Sequence, residues 1–298
     1  EQRQITEINT GTFCFDNEAL FNALQKVSND NAQGEYYLPD VIEILRQNGD
    51  VVGGFITPDF SETLGVNDRV ALAEAEKLMR KRVNENHMRN GVAMLDPDTT
   101  YIGVDVTIEQ DVTIHPGTRI FGHATIKANA EIGPYTDIID CTIGEGSIIQ
   151  QSVVEDSVIG KNVNVGPYAH IRPKSDVSDS AKIGNFVEVK KSTIGSDSKV
   201  SHLSYIGDAA IGRNVNIGCG TITVNYDGVN KHQTVIEDDA FVGCNANLIA
   251  PVSIGKGSLI AAGSTITKDV PEDALSVARG RQSNKEGYAA RLKTRKKN

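Results

Sequence analysis

A mainly β chain is expected, built as a parallel β-helix behind an α/β segment and one long helix. Three features of the 298-residue sequence lead there. Aliphatic residues recur every six positions between Ile102 and Ile266, glycine often follows them, and an Ala-, Leu-, Glu- and Lys-rich run precedes the repeat.

Residues 1–69 read as mixed α/β. Thr12 to Phe15 and Val51 to Ile56 are strand-like runs, and Leu38 to Leu45 places apolar residues at helical spacing behind Pro39. Val70 to Met79 has strong helix propensity, because its side chains lose little freedom in a helix. Asn67 or Asp68 can cap its start and Asn90-Gly91 stops it, which gives a linker helix over 70–90.

Residues 91–298 follow another rule. Ile102, Ile108, Ile114, Ile120, Ile126, Ile132 and Ile138 keep a strict period of six. The phase slips by one residue at a few points, runs to Ile217, pauses, and resumes from Ile236 to Ile266. Neither a helical nor a strand period fits. Six residues make a short strand plus a turn, with the β-branched side chain inward and small residues at the bend. Three hexapeptides close one coil, so the anchors predict about nine coils stacked at ~4.8 Å, a prism of roughly 45 Å.

Composition narrows the function classes. No apolar run approaches the ~20 residues of a membrane helix. The net charge of −9 argues against nucleic acid as the main partner, since phosphate binding needs a basic surface. The basic residues of the last segment (Lys285, Arg291, Lys293, Arg295, Lys296, Lys297) read as a solvated tail. Cys14, Cys141, Cys219 and Cys244 form no CxxC pair, and no His stands at zinc-finger spacing. Reduced thiols in a cytoplasm are the simplest reading. Glu1-Gln2-Arg3-Gln4 reads as interior sequence, so a piece of a longer protein is expected.

Some positions point to chemistry without fixing it. Arg172 and Lys190 follow inward anchors where small or polar residues are usual. Both suit a phosphate, and both read equally well as solvated surface charges. The repeat breaks at Thr223 to Val235, where the chain must extrude a loop. Of the six His, His87, His115 and His123 read as surface residues, His170 is ambiguous beside an inward anchor, and His232 lies in the loop.

The repeat is the signature of the left-handed β-helix acyltransferases, the hexapeptide-repeat family. A closer likeness rests on Glu1-Gln2-Arg3-Gln4-Ile5, Ile8-Asn9-Thr10-Gly11, Asn31 to Tyr37, Gly65-Val66-Asn67, Gly184 to Glu188 and Val224 to Gly228. In that order they resemble the bacterial bifunctional N-acetylglucosamine-1-phosphate uridyltransferase/glucosamine-1-phosphate N-acetyltransferases. The resemblance covers essentially the whole chain. It implies a left-handed hand, a cytoplasmic homotrimer, and acetyl transfer from acetyl-CoA to glucosamine-1-phosphate. In the longer protein it also implies coupling of the product to UTP with Mg²⁺, giving UDP-N-acetylglucosamine.

Site roles follow residue by residue from the same resemblance. His202 matches the general base, which must take a proton from a sugar amine near neutral pH. Arg172, Lys190, Tyr205, Asn216 and Lys231 match sugar-phosphate contacts, Lys231 across a subunit boundary. Cys219, Asn225, Tyr226, Cys244, Ala262 and Arg279 match the acetyl-CoA channel, and Cys244 stands where other members carry Ser. Residues 1–69 match the end of the uridyltransferase domain, with Asn9 a sugar-nucleotide contact and Asn67 a contact and Mg²⁺ ligand. The family's Gly-rich nucleotide loop is not among these residues, so no uridyltransferase activity is expected of them alone.

Two other readings fit the sequence less well. Carbonic anhydrases of the γ class share the fold and bind zinc through an HxxxxH pair and a third His, yet no two His here stand five apart. A non-catalytic β-helix would show a flat repeated Thr array, whereas the outward positions here are mixed and charged.

Overall fold

The computed structural model describes residues 7–295. The interior-like start at Glu1 to Gln4 and the tail lysines Lys296 and Lys297 lie outside the described residues. The chain divides into two compact units between Leu78 and Met79.

The first unit holds two short helices. In α1 (Asn17–Leu24), Asp16 accepts the Ala19 N–H at 2.9 Å and so satisfies an orphan donor. Pro39 precedes α2 (Asp40–Asn48), and Gly49 ends it in the left-handed region. Ala23, Val41 and Leu45 form the small buried cluster between them. The expected strands at Thr12 to Phe15 and Val51 to Ile56 do not form among the described residues, and α1 was not foreseen. A strand exists only where a neighbour completes its hydrogen-bond ladder, and neither segment has one.

Helix α3 (Arg69–Arg89) forms over the run expected to be helical, capped by Asp68 on the Ala71 N–H at 2.8 Å. Gly91 stops it at φ 94°. Asn84, almost fully buried, donates to the carbonyls of Pro97 and Thr100, both at 2.9 Å. Arg80 stacks on the Tyr101 ring at 4.5 Å, so the end of α3 is pinned to the first coil.

The parallel β-helix is observed. Three parallel sheets of 11, 10 and 9 strands make three faces, each strand pairing with the strand one coil away. That is about one coil more than the anchors predict. The additional strands are Ala93–Met94 and Leu275–Ser276, whose residues are not β-branched and so escape a period built on Ile and Val.

The anchors fill the core: Ile114, Ile120, Ile126 and Ile132 are fully buried, and the column continues to Ile266. Inner corners carry small hydroxyls that satisfy turn backbone. Ser147 donates to the Gly160 carbonyl at 2.7 Å and accepts from the Val163 N–H at 2.9 Å, and Ser198 does the same three coils later. Coils approach so closely at Gly184 that a methyl there would overlap the Ser201 carbonyl of the next coil. Many outer corners turn through residues in the left-handed region. Asp and Asn occupy many of them, as at Asp111, Asn129 and Asn162, because a short polar side chain tolerates that backbone.

One corner differs. Tyr135, Tyr168, Phe186 and Leu203 all take positive φ and remain more than half exposed. Tyr168 and Phe186 stack at 5.5 Å. Each bulky residue there costs about 1–2 kcal/mol of backbone strain. No helix among the described residues is long and apolar enough to cross a membrane.

Candidate active site

Strand Lys199–His202 ends at this corner, one coil beyond strand Lys182–Asn185, with His202 in register with Asn185. His202 is exposed, and its Nδ1 lies 2.7 Å from Asn185 Oδ1. An amide oxygen only accepts, so Nδ1 carries the hydrogen, and in the neutral ring the lone pair falls on Nε2. Ser204, buried, ties the turn by donating to the His202 carbonyl at 2.8 Å.

The register continues in both directions along the edge. Val200 pairs with Ile217, Ile217 with Val242, and Val242 with Ile260. Two residues beyond each of these stand His202, Cys219, Cys244 and Ala262, so the four form one column at successive coils. Three small side chains thus lead up the corner to the imidazole. Arg279 closes the far end by donating to the Ala262 carbonyl at 3.0 Å.

The neighbouring face of the second sheet is charged. Strand Tyr205–Gly207 lies against strand Glu188–Lys190, with Tyr205 opposite Glu188 and Gly207 opposite Lys190. Arg172 donates from Nη1 to Glu188 Oε1 at 2.8 Å, and this pairing raises the guanidinium further above its ordinary pKa. Any side chain at Gly207 would run into the Tyr205 ring, which folds back over it. Arg172, Lys190 and Tyr205, expected to meet the sugar phosphate, therefore share three successive coils.

Other expected residues fall elsewhere. Asn216 lies on the first sheet in register with Lys199, three residues short of the corner, and one chain does not bring it to the Arg172 group. Asn225 is buried. Its Nδ2 donates to Asp208 Oδ2 at 2.5 Å and to the Tyr205 hydroxyl at 3.5 Å. Tyr226 and Lys231 face each other across the extruded loop, the Lys231 ammonium 4.7 Å from the ring centroid. Asn9 and Asn67 are exposed in the first unit. Among the described residues no group of three or more His, Cys, Asp or Glu is placed to hold a metal ion. A neutral amide alone does not hold a hard dication, so Asn67 by itself does not make a magnesium site.

Sequence reasoning missed Asn185, Glu188 and Asp208 as partners. Each is one coil from the residue it orients, a spacing at which the sequence carries no local signal. The surface reading holds for His123, while His87 and His115 are half-buried and His115 lies 2.7 Å from Glu131. His170 lies 3.0 Å from Glu155 on the charged face.

The thiols make a direct test of the corner. Cys244 is exposed, Cys219 half-buried and Cys141 buried, where loss of water pushes the Cys141 thiol up to about 11. Maleimide near neutral pH is expected to label Cys14 and Cys244 first, Cys219 more slowly and Cys141 not at all. Peptide mass spectrometry reads the order, and native Cys141 reacting as fast as Cys244 contradicts it.

Comparison with known proteins points the same way. Residues 124–214 match the family described as GlmU-like, C-terminal hexapeptide, and residues 233–268 match the bacterial transferase hexapeptide (six repeats). The chain is 62% identical to the bifunctional protein GlmU of Geobacillus sp. (strain WCH70), over 99% of this chain and 64% of that one. It is 66% identical to the bifunctional protein GlmU of Oceanobacillus iheyensis, over 98% of this chain and 64% of that one. It thus spans about two thirds of the length of these relatives, falling just short of that fraction. Among solved structures, a UDP-N-acetylglucosamine acyltransferase of Arabidopsis is 17% identical, covering 62% of this chain and 69% of that one, with a TM-score of 0.40.

Proposed function

Because this chain belongs to the GlmU family, we propose that it transfers the acetyl group of acetyl-CoA to the amine of glucosamine-1-phosphate. The observation that carries this is the corner itself. His202, its Nε2 lone pair free, heads the column Cys219, Cys244 and Ala262 and stands beside the Arg172, Lys190 and Tyr205 face.

Each residue then has work suited to its chemistry. The small side chains leave room for the coenzyme's narrow arm along the corner, and Arg279 offers a cation at the far end. Arg172 and Lys190 hold the phosphate, which places the sugar amine toward His202. As the nitrogen bonds to the acetyl carbon, His202 Nε2 takes its proton. It returns that proton to the leaving thiolate as the carbon–sulfur bond breaks. Asn185 keeps the imidazole in the tautomer this requires.

Thiol release from acetyl-CoA tests the reading, with glucosamine-1-phosphate against glucosamine-6-phosphate. Release is expected with the 1-phosphate and little with its isomer. No release with either sinks the proposal.

We place the working enzyme in a bacterial cytoplasm as a homotrimer. In support, Tyr168, Phe186 and Leu203 stay exposed at strained corners beside His202, and Asn216 lies on another sheet from the Arg172 group. A second copy covering the corner would remove the exposed apolar surface. Sedimentation at micromolar concentration should give three times the single-chain mass, and a single-chain mass would overturn the trimer. UTP coupling and its Mg²⁺ belong to the longer protein in this reading.

A further inference from the structure

The extruded loop is held by more than an ordinary turn. Strand Ile222–Val224 leaves the solenoid and strand Thr234–Ile236 re-enters it. Both feet are gripped by Asp208, itself nearly buried: its carboxylate takes the Asn225 amide, and its backbone carbonyl accepts the Thr234 N–H at 3.2 Å. Within the loop, Asp227 uses both oxygens. Oδ1 accepts the N–H groups of Val229 and Asn230, both at 2.7 Å, as such turns commonly do. Oδ2 reaches across the hairpin to His232 Nε2 at 2.6 Å. The Asn230 N–H, His232 and the Val229 N–H together hold this carboxyl well below the usual carboxylate range, so it stays an acceptor. The His232 N–H donates to the Asn225 carbonyl at 2.8 Å and completes the ring of contacts.

We propose that Asp227 and His232 are positioning residues: their pair clasps the extruded loop shut, so that Tyr226 and Lys231 are presented ready-placed to the coenzyme and the sugar phosphate. This rests on the acetyl-transfer reading for what the loop serves, though the clasp stands on geometry alone. The physical gain is in entropy. Ordering a free loop residue costs about 1–2 kcal/mol of backbone freedom, and a loop already closed does not lose it again on binding. Tyr226 and Lys231 are paired across the hairpin, so opening one side misplaces both.

Asp227→Ala and His232→Ala should each raise KM for acetyl-CoA and for glucosamine-1-phosphate by about tenfold or more, the worth of one charge-assisted bond. Their kcat should stay within about threefold, because neither residue touches the reacting atoms. His232→Gln keeps an N–H donor toward Asp227 and should restore most of the affinity. If kcat falls while KM holds, the pair acts on chemistry and the clasp is wrong. If neither parameter moves, the loop is held by other contacts, which equally overturns it. Amide hydrogen exchange on the whole chain separates this from a failure of the functional reading. The backbone amides of positions 230 and 232 should exchange faster in His232→Ala whether or not the protein acetylates, and unchanged exchange there refutes the clasp. Unchanged Tm in each variant confirms that the solenoid is intact.

Discussion

His202→Ala lowers kcat for acetyl transfer by about 10²–10⁴-fold, the usual worth of a positioned general base. Its Nε2 is the group at the head of the small-residue column with a lone pair held free, and Asn185 fixes it so at 2.7 Å. Acetyl-CoA affinity should change little, because in the proposed reading the base meets the amine while the coenzyme arm runs along Cys219, Cys244 and Ala262. Steady-state rates alongside equilibrium coenzyme binding check both halves. A variant that keeps more than about a tenth of the parental kcat shows that another group takes the proton. Asn185→Ala gives a smaller loss in kcat, since the imidazole survives while its tautomer is no longer held.

Arg172→Ala raises KM for glucosamine-1-phosphate by about 10- to 150-fold, from the ~1.5–3 kcal/mol worth of a hydrogen bond to a charged group. Two causes add. In the proposed reading the phosphate loses a planar fork, and Glu188, now without its partner at 2.8 Å, places an uncompensated negative charge on the same face. Glu188→Gln made alongside Arg172→Ala removes that second cause and should recover part of the affinity. Arg172→Lys keeps the charge but not the fork, and falls between. A KM unchanged in Arg172→Ala would show that this face does not hold the phosphate.

The solenoid was legible because burial in it is periodic. One residue in each hexapeptide must point inward, so Ile102 to Ile266 display the fold in a single chain, and the break at the loop displays itself as a lapse in that period. Helices α2 and α3 were legible for a related reason, since Pro39, Asp68 and Gly91 mark their ends locally. The strand-like runs of the first unit misled, because a strand is defined by a partner that local sequence does not name. Arg172 and Lys190 stood out by their positions after inward anchors, but their roles, and the choice of His202, came only by resemblance.

The tertiary structure alone decided how these residues meet. Asn185, His202, Cys219, Cys244 and Ala262 share one edge although 17, 17, 25 and 18 residues separate successive members. The uneven third step contains the loop, which the solenoid extrudes without losing register. The Arg172–Glu188 pair, the Asn185–His202 bond and the Asp208 grip on the loop likewise join residues one coil apart. Sequence sets which residue of each hexapeptide faces the core, since burial acts on each residue separately. Which outward residues become neighbours depends on the summed length of every turn between them, and that sum is fixed only when the coils stack.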